Sequence, residues 1–266
     1  MIEQVLHHIF TSQWLVILIV GALLLLAAEA GFRIGLRLHL RKDEARKAQV
    51  GGVQGAILGM LGLLLGFTFA MAVGRYDTRR SLVLTEANAI GTTFLRASLL
   101  PAAQQAPVEE LLRQYVDARL GFYEAGESRE KLAEAEQLTS RIQGDLWTHA
   151  VAAAKAEPTA PVVSFITSLN DTIDCDASRM NALRTHVPGA VWMLVLAISV
   201  CGCCISGYAA GSSGVRNGFS SFVLPLTIAV AITLIADLDR PRGGMIGISQ
   251  QPMHDVRDSL RAASRK

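Results

Sequence analysis

Residues 52–74 read GVQGAILGMLGLLLGFTFAMAVG, and residues 75–96 continue directly as RYDTRRSLVLTEANAIGTTFLR. The first block carries no charge and exceeds the roughly 20 apolar residues that a helix needs to cross a hydrocarbon core. The second is charged, and its opening 75–80 holds no Gly or Pro. The pair therefore predicts one helix that crosses a membrane and runs on into water. Within the first block Gly55, Gly59, Gly62, Gly66, Ala70 and Gly74 recur every three or four residues, on one helix face. Gly55-x-x-x-Gly59 and Gly62-x-x-x-Gly66 are helix-packing candidates, because paired small residues let two helices approach closely. Beside that face Leu63, Phe67 and Met71 repeat at i+4, as do Leu65, Phe69 and Val73. Leu63, Phe67, Met71 and Phe69 are the pore-lining candidates, since an apolar row can gate by dewetting. Lipid contact is the other reading of such a row.

The rest of the chain follows the same division. Residues AVILMFWYC make up 51% and charged residues 18%, against about 25% in soluble domains. Four stretches, 4–28, 48–74, 185–215 and 217–236, hold none of the charges. They predict spans at 13–32, 52–74, 189–210 and 218–237, in an all-α membrane protein. This segregation argues against a freely soluble enzyme. Pro225 in the last span is tolerable where neighbouring helices satisfy the freed carbonyl. The first 13 residues hold no Lys or Arg, so the first span is read as retained rather than as a cleaved signal. Four spans put both termini on one side. Lys and Arg near the span ends lean weakly toward a cytoplasmic middle segment and tail, and the basic loop at 33–47 opposes that lean.

Four parts are expected: a span pair (1–74), a water-exposed helical domain (75–188), a second span pair (189–237) and a tail (238–266). In the domain, apolar residues recur at helical spacing over 80–100, 108–120, 132–147 and 162–184, punctuated by Pro101, Gly121, Pro158 and Pro161. In the tail, 255–264 suits a short amphipathic helix after an irregular Gly- and Pro-rich stretch. Cys201, Cys203 and Cys204 are read as apolar packing residues. Glu29, inside the first span, is expected to pair with Arg33. Asp171, Asp174 and Asp176 lack the spacing of a calcium loop, and Arg179 is their expected partner. No nucleophile–base pair, zinc signature or phosphate-cradling loop is present. The reading is thus no catalytic residues, no cofactor, no metal and no nucleic-acid partner.

The segment 75–101 and the segment 237–253 (DLDRPRGGMIGISQQPM) resemble the two signature blocks of the bestrophin-like membrane-protein family, which is largely bacterial. Tyr76, Asp77, Arg79, Arg80, Glu86, Asn88 and Arg96 carry the first block. Asp239, Pro241, Ser249 and Pro252 carry much of the second. The order of two spans, helical insert, two spans and tail is similar as well. The resemblance implies a homo-oligomer, a pentamer in true bestrophins, that conducts inorganic anions passively along its second helix. It also implies a bacterial inner membrane, with the helical domain and tail cytoplasmic. Arg242 stands where the related stretch carries Phe, and no acidic calcium-sensing run follows. A membrane-anchored sensor or scaffold, using 75–188 to bind other proteins, is the alternative function.

Overall fold

A computed structural model of the chain describes residues 13–38, 44–126, 128–214, 218–242 and 244–263. The signal-peptide reading rests largely on residues 1–12, and the basic loop includes 39–43; both stretches lie outside the described residues. The described elements are all helices: α1 (Gln13–Leu38), α2 (Glu44–Ala97), α3 (Ala102–Glu124), α4 (Arg129–Ala156), α5 (Ala160–Arg184), α6 (Gly189–Ser213), α7 (Gly218–Asp239) and α8 (Gln251–Ala263). The break-free RYDTRR junction makes α2 one helix of 54 residues. Four apolar segments are long enough to cross a membrane, in α1, α2, α6 and α7. The third lies within Ala160–Ser213, a range that takes in α5, but the charges of α5 and the break before Pro188 confine the apolar part to α6.

The chain divides into two compact units. One comprises the chain up to Arg75 with His186–Arg240 and Gly244–Ile246; the other comprises Tyr76–Thr185, Pro241–Gly243 and the chain from Gly247.

In the first unit α1 and α6 pack backbone to backbone. A Cβ at Gly31 would run into the Cys204 carbonyl oxygen, and one at Gly35 into that of Tyr208. Reciprocally, Gly207 meets the Ala28 carbonyl oxygen and Gly211 that of Phe32. The two glycine pairs, each spaced by four, therefore form the small-residue crossing of this unit. Leu24, Ala28, Leu61, Val195, Cys203, Ile228, Ala229 and Ile232 form its buried core. Glu29 and Arg33 pair at 2.9 Å, one helical turn apart.

In the second unit the buried stripe of α2 (Val83, Ala87, Ile90, Phe94) packs with α3, α4 and α5 and with Met253 and Leu260 of α8. Two helix boundaries differ from the sequence reading. Helix α3 runs past Gly121 to Glu124, and the reversal comes at Gly126, whose φ of +57° suits the left-handed region. Helix α8 starts at Gln251, before the predicted 255, because Pro252 fits a first helical turn, where its missing N–H is not needed.

The candidate pore helix and its anchors

In the first unit, α2 buries Leu61, Thr68 and Ala72, a stripe spaced seven and four. The Thr68 hydroxyl donates to the Leu64 carbonyl at 2.7 Å, so no polar group is stranded on that stripe. The other faces of this part of α2 are largely open. Phe67 is 61% exposed and Leu63 59%, with Phe69 and Met71 also exposed. A Cβ at Gly55, Gly59, Gly62 or Gly66 would meet nothing within 4 Å. Among the described residues no part of the same chain packs against these glycines; within the chain, the close crossing that small residues permit is made by Gly31, Gly35, Gly207 and Gly211.

In the second unit the polar residues of α2 reach α5 in an antiparallel ladder. Arg79 donates from Nε to the Ala182 carbonyl at 3.0 Å and from Nη2 to the Thr185 carbonyl at 2.8 Å. It thereby satisfies carbonyls that the C-terminus of α5 leaves free. Glu86 accepts from Nη1 of Arg179. The Thr93 hydroxyl lies 2.8 Å from the Ser168 carbonyl and 2.9 Å from the Thr172 hydroxyl. Arg96 donates to the Ser164 carbonyl at 3.0 Å. Partner numbers fall as α2 numbers rise, as antiparallel helices require. Asp77, Arg80, Asn88 and Thr92 of the same block are exposed, and Tyr76 is half-buried.

Glu86 is the centre of this ladder and is fully buried. Arg119 of α3 donates from Nε to Oε1 of Glu86 at 2.7 Å, while Arg179 uses Oε2. Arg119 also contacts Asp176 at 2.6 Å, an ion pair rather than an aligned hydrogen bond. Gln143 donates to the other oxygen of Asp176 at 2.9 Å. Arg179 completes its own set with Tyr123 Oη at 3.1 Å and Gln250 Oε1 at 3.0 Å. Two carboxylates thus pair with two guanidinium groups, where an unpaired charge would be costly, and Arg242 adds a third guanidinium nearby on the Phe122 ring. Burial pushes the Asp176 carboxyl up from its ordinary value, against the pull of Arg119. Burial also raises the Tyr115 hydroxyl, with the Glu86 charge adding to it. Burial disfavours the charged form of Arg119, but Glu86 and Asp176 outweigh it and the pKa rises.

The expected pairing of Arg179 with the α5 aspartates is corrected here. Arg179 pairs with Glu86, and Asp176 pairs with Arg119, because this face of α5 turns toward α2 and α3. Arg119, Gln143 and Gln250 were missed by the sequence reading, and Tyr115 entered it only as one of the apolar positions of 108–120. Arg119 carried a signal: it continues the buried run Leu112, Tyr115, Val116 at helical spacing.

The second signature block closes local backbone turns. Asp239 accepts the Val187 N–H at 3.1 Å on both oxygens. Asp237 accepts the N–H groups of Met245 and Ile246, each at 3.0 Å. Gly244 sits against that carboxylate: a Cβ there would lie 2.6 Å from Asp237 Oδ1. Ser249 accepts the Gln251 N–H at 3.3 Å at the start of α8, and Pro241 and Pro252 are half-buried. Asp237→Ala is expected to cost about 2–3 kcal/mol, the scale of losing charge-assisted hydrogen bonds. Asp237→Asn should recover part of it. Thermal unfolding of the detergent-solubilised protein checks both; unchanged midpoints would show that the two bonds to Asp237 add no net stability.

The bestrophin-like domain model matches residues 20–253. The chain belongs to the bestrophin-like family. Solved structures of a bacterial bestrophin homolog from Klebsiella pneumoniae share its fold. A form carrying a point mutation gives a TM-score of 0.68 at 16% identity, covering 94% of this chain and 99% of that one. The form solved by Zn-SAD phasing gives 0.67 at 15% identity, covering 96% and 99%. A comparison with curated proteins gives no match. This bestrophin-like chain is therefore an all-α membrane protein with four candidate membrane-spanning helices. Its two signature blocks divide their work: the first anchors α2 to α5, and the second closes turns after α7.

Proposed function

We propose that this bestrophin-like chain assembles into a homo-oligomer, pentameric on the family resemblance, whose α2 helices surround a passive ion path. The observation that supports this reading most is the open face of α2, where an added Cβ at any of four glycines meets nothing within 4 Å among the described residues, beside exposed Leu63 and Phe67. Glycines let helices from neighbouring copies approach closely. The large apolar side chains beside them suit a narrow, dewetting constriction. Anions are the permeant class that the resemblance implies. The same resemblance supports a bacterial inner membrane with the helical unit on the cytoplasmic side.

The direct test is single-channel recording of purified oligomer in planar bilayers, with several anions and cations offered in turn. Current is expected. An intact oligomer that passes none of them would overturn conduction and leave the scaffold function. Phe67→Ala should change unitary conductance severalfold by widening the constriction, and Phe69→Ala separates the two apolar rows. Unchanged current in both variants would place the constriction elsewhere.

A further inference from the structure

Arg242 lies in the irregular stretch between α7 and α8, within the second unit. Its guanidinium stacks on the ring of fully buried Phe122, 4.2 Å from the centroid. Arg242 Nε is buried without a hydrogen-bond partner among the described residues. Its two Nη nitrogens have none there either, and they reach solvent, since the side chain is only half-buried. Every other described arginine of this unit that is buried or half-buried donates at least one hydrogen bond. Arg79 and Arg96 serve carbonyls of α5, and Arg113 serves that of Leu260. Arg119 and Arg179 serve Glu86, and Arg257 serves Asp258.

The charge around Arg242 is one-sided. The Phe122 ring also meets Arg119, 5.4 Å from its centroid, and the Tyr123 ring carries Arg179 at 4.3 Å. Three guanidinium groups thus gather on two successive aromatic rings. Glu86 and Asp176 are already engaged by Arg119 and Arg179. Glu136 attracts Arg242 from a distance, but it is exposed and forms no ion pair with it. Burial lowers the Arg242 pKa from its ordinary value, and Arg119 and Arg179 push the same way against Tyr123 and Glu136. A lysine could answer such a setting by losing its proton, but a guanidinium keeps its charge in proteins. An unpaired charge held partly out of water gains from an anion.

The stacking on Phe122 fixes the plane of the guanidinium, and its accessible Nη edge offers two parallel N–H donors. A carboxylate matches such a fork with two oxygens at once, whereas a spherical anion does not. We infer that Arg242, held against Phe122, binds a small carboxylate anion through its Nη edge. The ligand supplies the counter-charge that the helical unit does not give to its third guanidinium. The inference is independent of whether the protein conducts.

The probe is sodium acetate, with sodium chloride as an anion of equal charge and no planar pair of acceptors. Full-chain protein in uncharged detergent and a carboxylate-free buffer is titrated with acetate. Saturation-transfer difference NMR on the acetate methyl group reads binding, and chloride is read by competition. Saturable binding with a millimolar dissociation constant is expected, ordinary for so small a ligand. Chloride should displace acetate only at concentrations about tenfold higher. Arg242→Phe keeps an aromatic contact with Phe122 and removes the charge, so the saturable signal should vanish. Arg242→Lys keeps a charge and loses the planar fork, so acetate should bind about tenfold more weakly. If Arg242→Phe fails to fold, Arg242→Lys carries the test. Absence of saturable binding by the wild type, its survival in Arg242→Phe, equal potency of chloride, or wild-type affinity in Arg242→Lys would each overturn the inference.

Discussion

Glu86→Ala is expected to cost about 3–5 kcal/mol, the range for removing one partner from a buried ion pair. The carboxylate is fully buried between Arg119 and Arg179, so its loss leaves Arg119 with Asp176 and takes from Arg179 its carboxylate partner. Arg179 retains Tyr123 and Gln250, but those partners are neutral. Glu86→Gln keeps the shape and an acceptor while removing the charge, so a smaller loss is expected. The readout is thermal unfolding in detergent together with limited trypsin digestion of the helical unit. Glu86→Ala with a wild-type midpoint would show that the cluster contributes no net stability. A combined Glu86→Met, Arg119→Met, Arg179→Met variant asks a further question. Replacing a whole buried ionic cluster by apolar side chains is often neutral or stabilising. If the triple variant folds as stably as wild type, the charges are needed to satisfy one another rather than to hold the unit together.

The second large effect is expected at the crossing of α1 and α6. Gly207→Leu places a side chain where the Ala28 carbonyl already sits, and backbone cannot rotate away as a flexible side chain can. The helices must separate, and the cost should exceed the roughly 1–3 kcal/mol usual for overpacking. Loss of folded protein, read by size-exclusion chromatography, is the expected result. Gly31→Leu should behave alike, because it meets the Cys204 carbonyl oxygen. Gly59→Leu provides the contrast, since a Cβ there meets nothing in its own chain. It should leave the folded chain intact and alter the oligomer if α2 faces a second copy. If Gly59→Leu unfolds the protein and Gly207→Leu does not, the assignment of the two glycine sets is reversed.

The contrast between these glycines also shows where sequence reading reaches its limit. Spacing by four says that a close approach is possible, but not which helix makes it. Gly31 and Gly35, and Gly207 and Gly211, carry the same spacing as the denser series Gly55 to Gly66, and pattern alone does not rank them. The continuity of α2 was legible, because 75–80 contains nothing that stops a helix. The four apolar segments were legible for the same local reason. Glu86 was legible as a residue of the first signature block, but its partners lie 33 and 93 positions away. The nearby Asp176 and Arg179 suggested a local pair. The packing of three helices gave each of them a more distant partner, which no local pattern encodes.

The polar ladder between α2 and α5 has a consequence for the order of assembly. Its rungs join residues 68 to 106 positions apart, with α3 and α4 lying between them in the chain. Such contacts bear a loop-closure cost before they return any stability. During synthesis Arg79, Glu86 and Arg96 emerge well before Ser164, Arg179 and Thr185. Throughout that interval the polar half of α2 has only water and nearby helices to satisfy it. Arrival of α5 then brings Arg179 to Glu86, which until then has Arg119 alone, together with the carbonyls for Arg79 and Arg96, and Gln250 follows later still. The helical unit should therefore gain protease resistance in one late step, once residues through Arg184 have been made, rather than helix by helix.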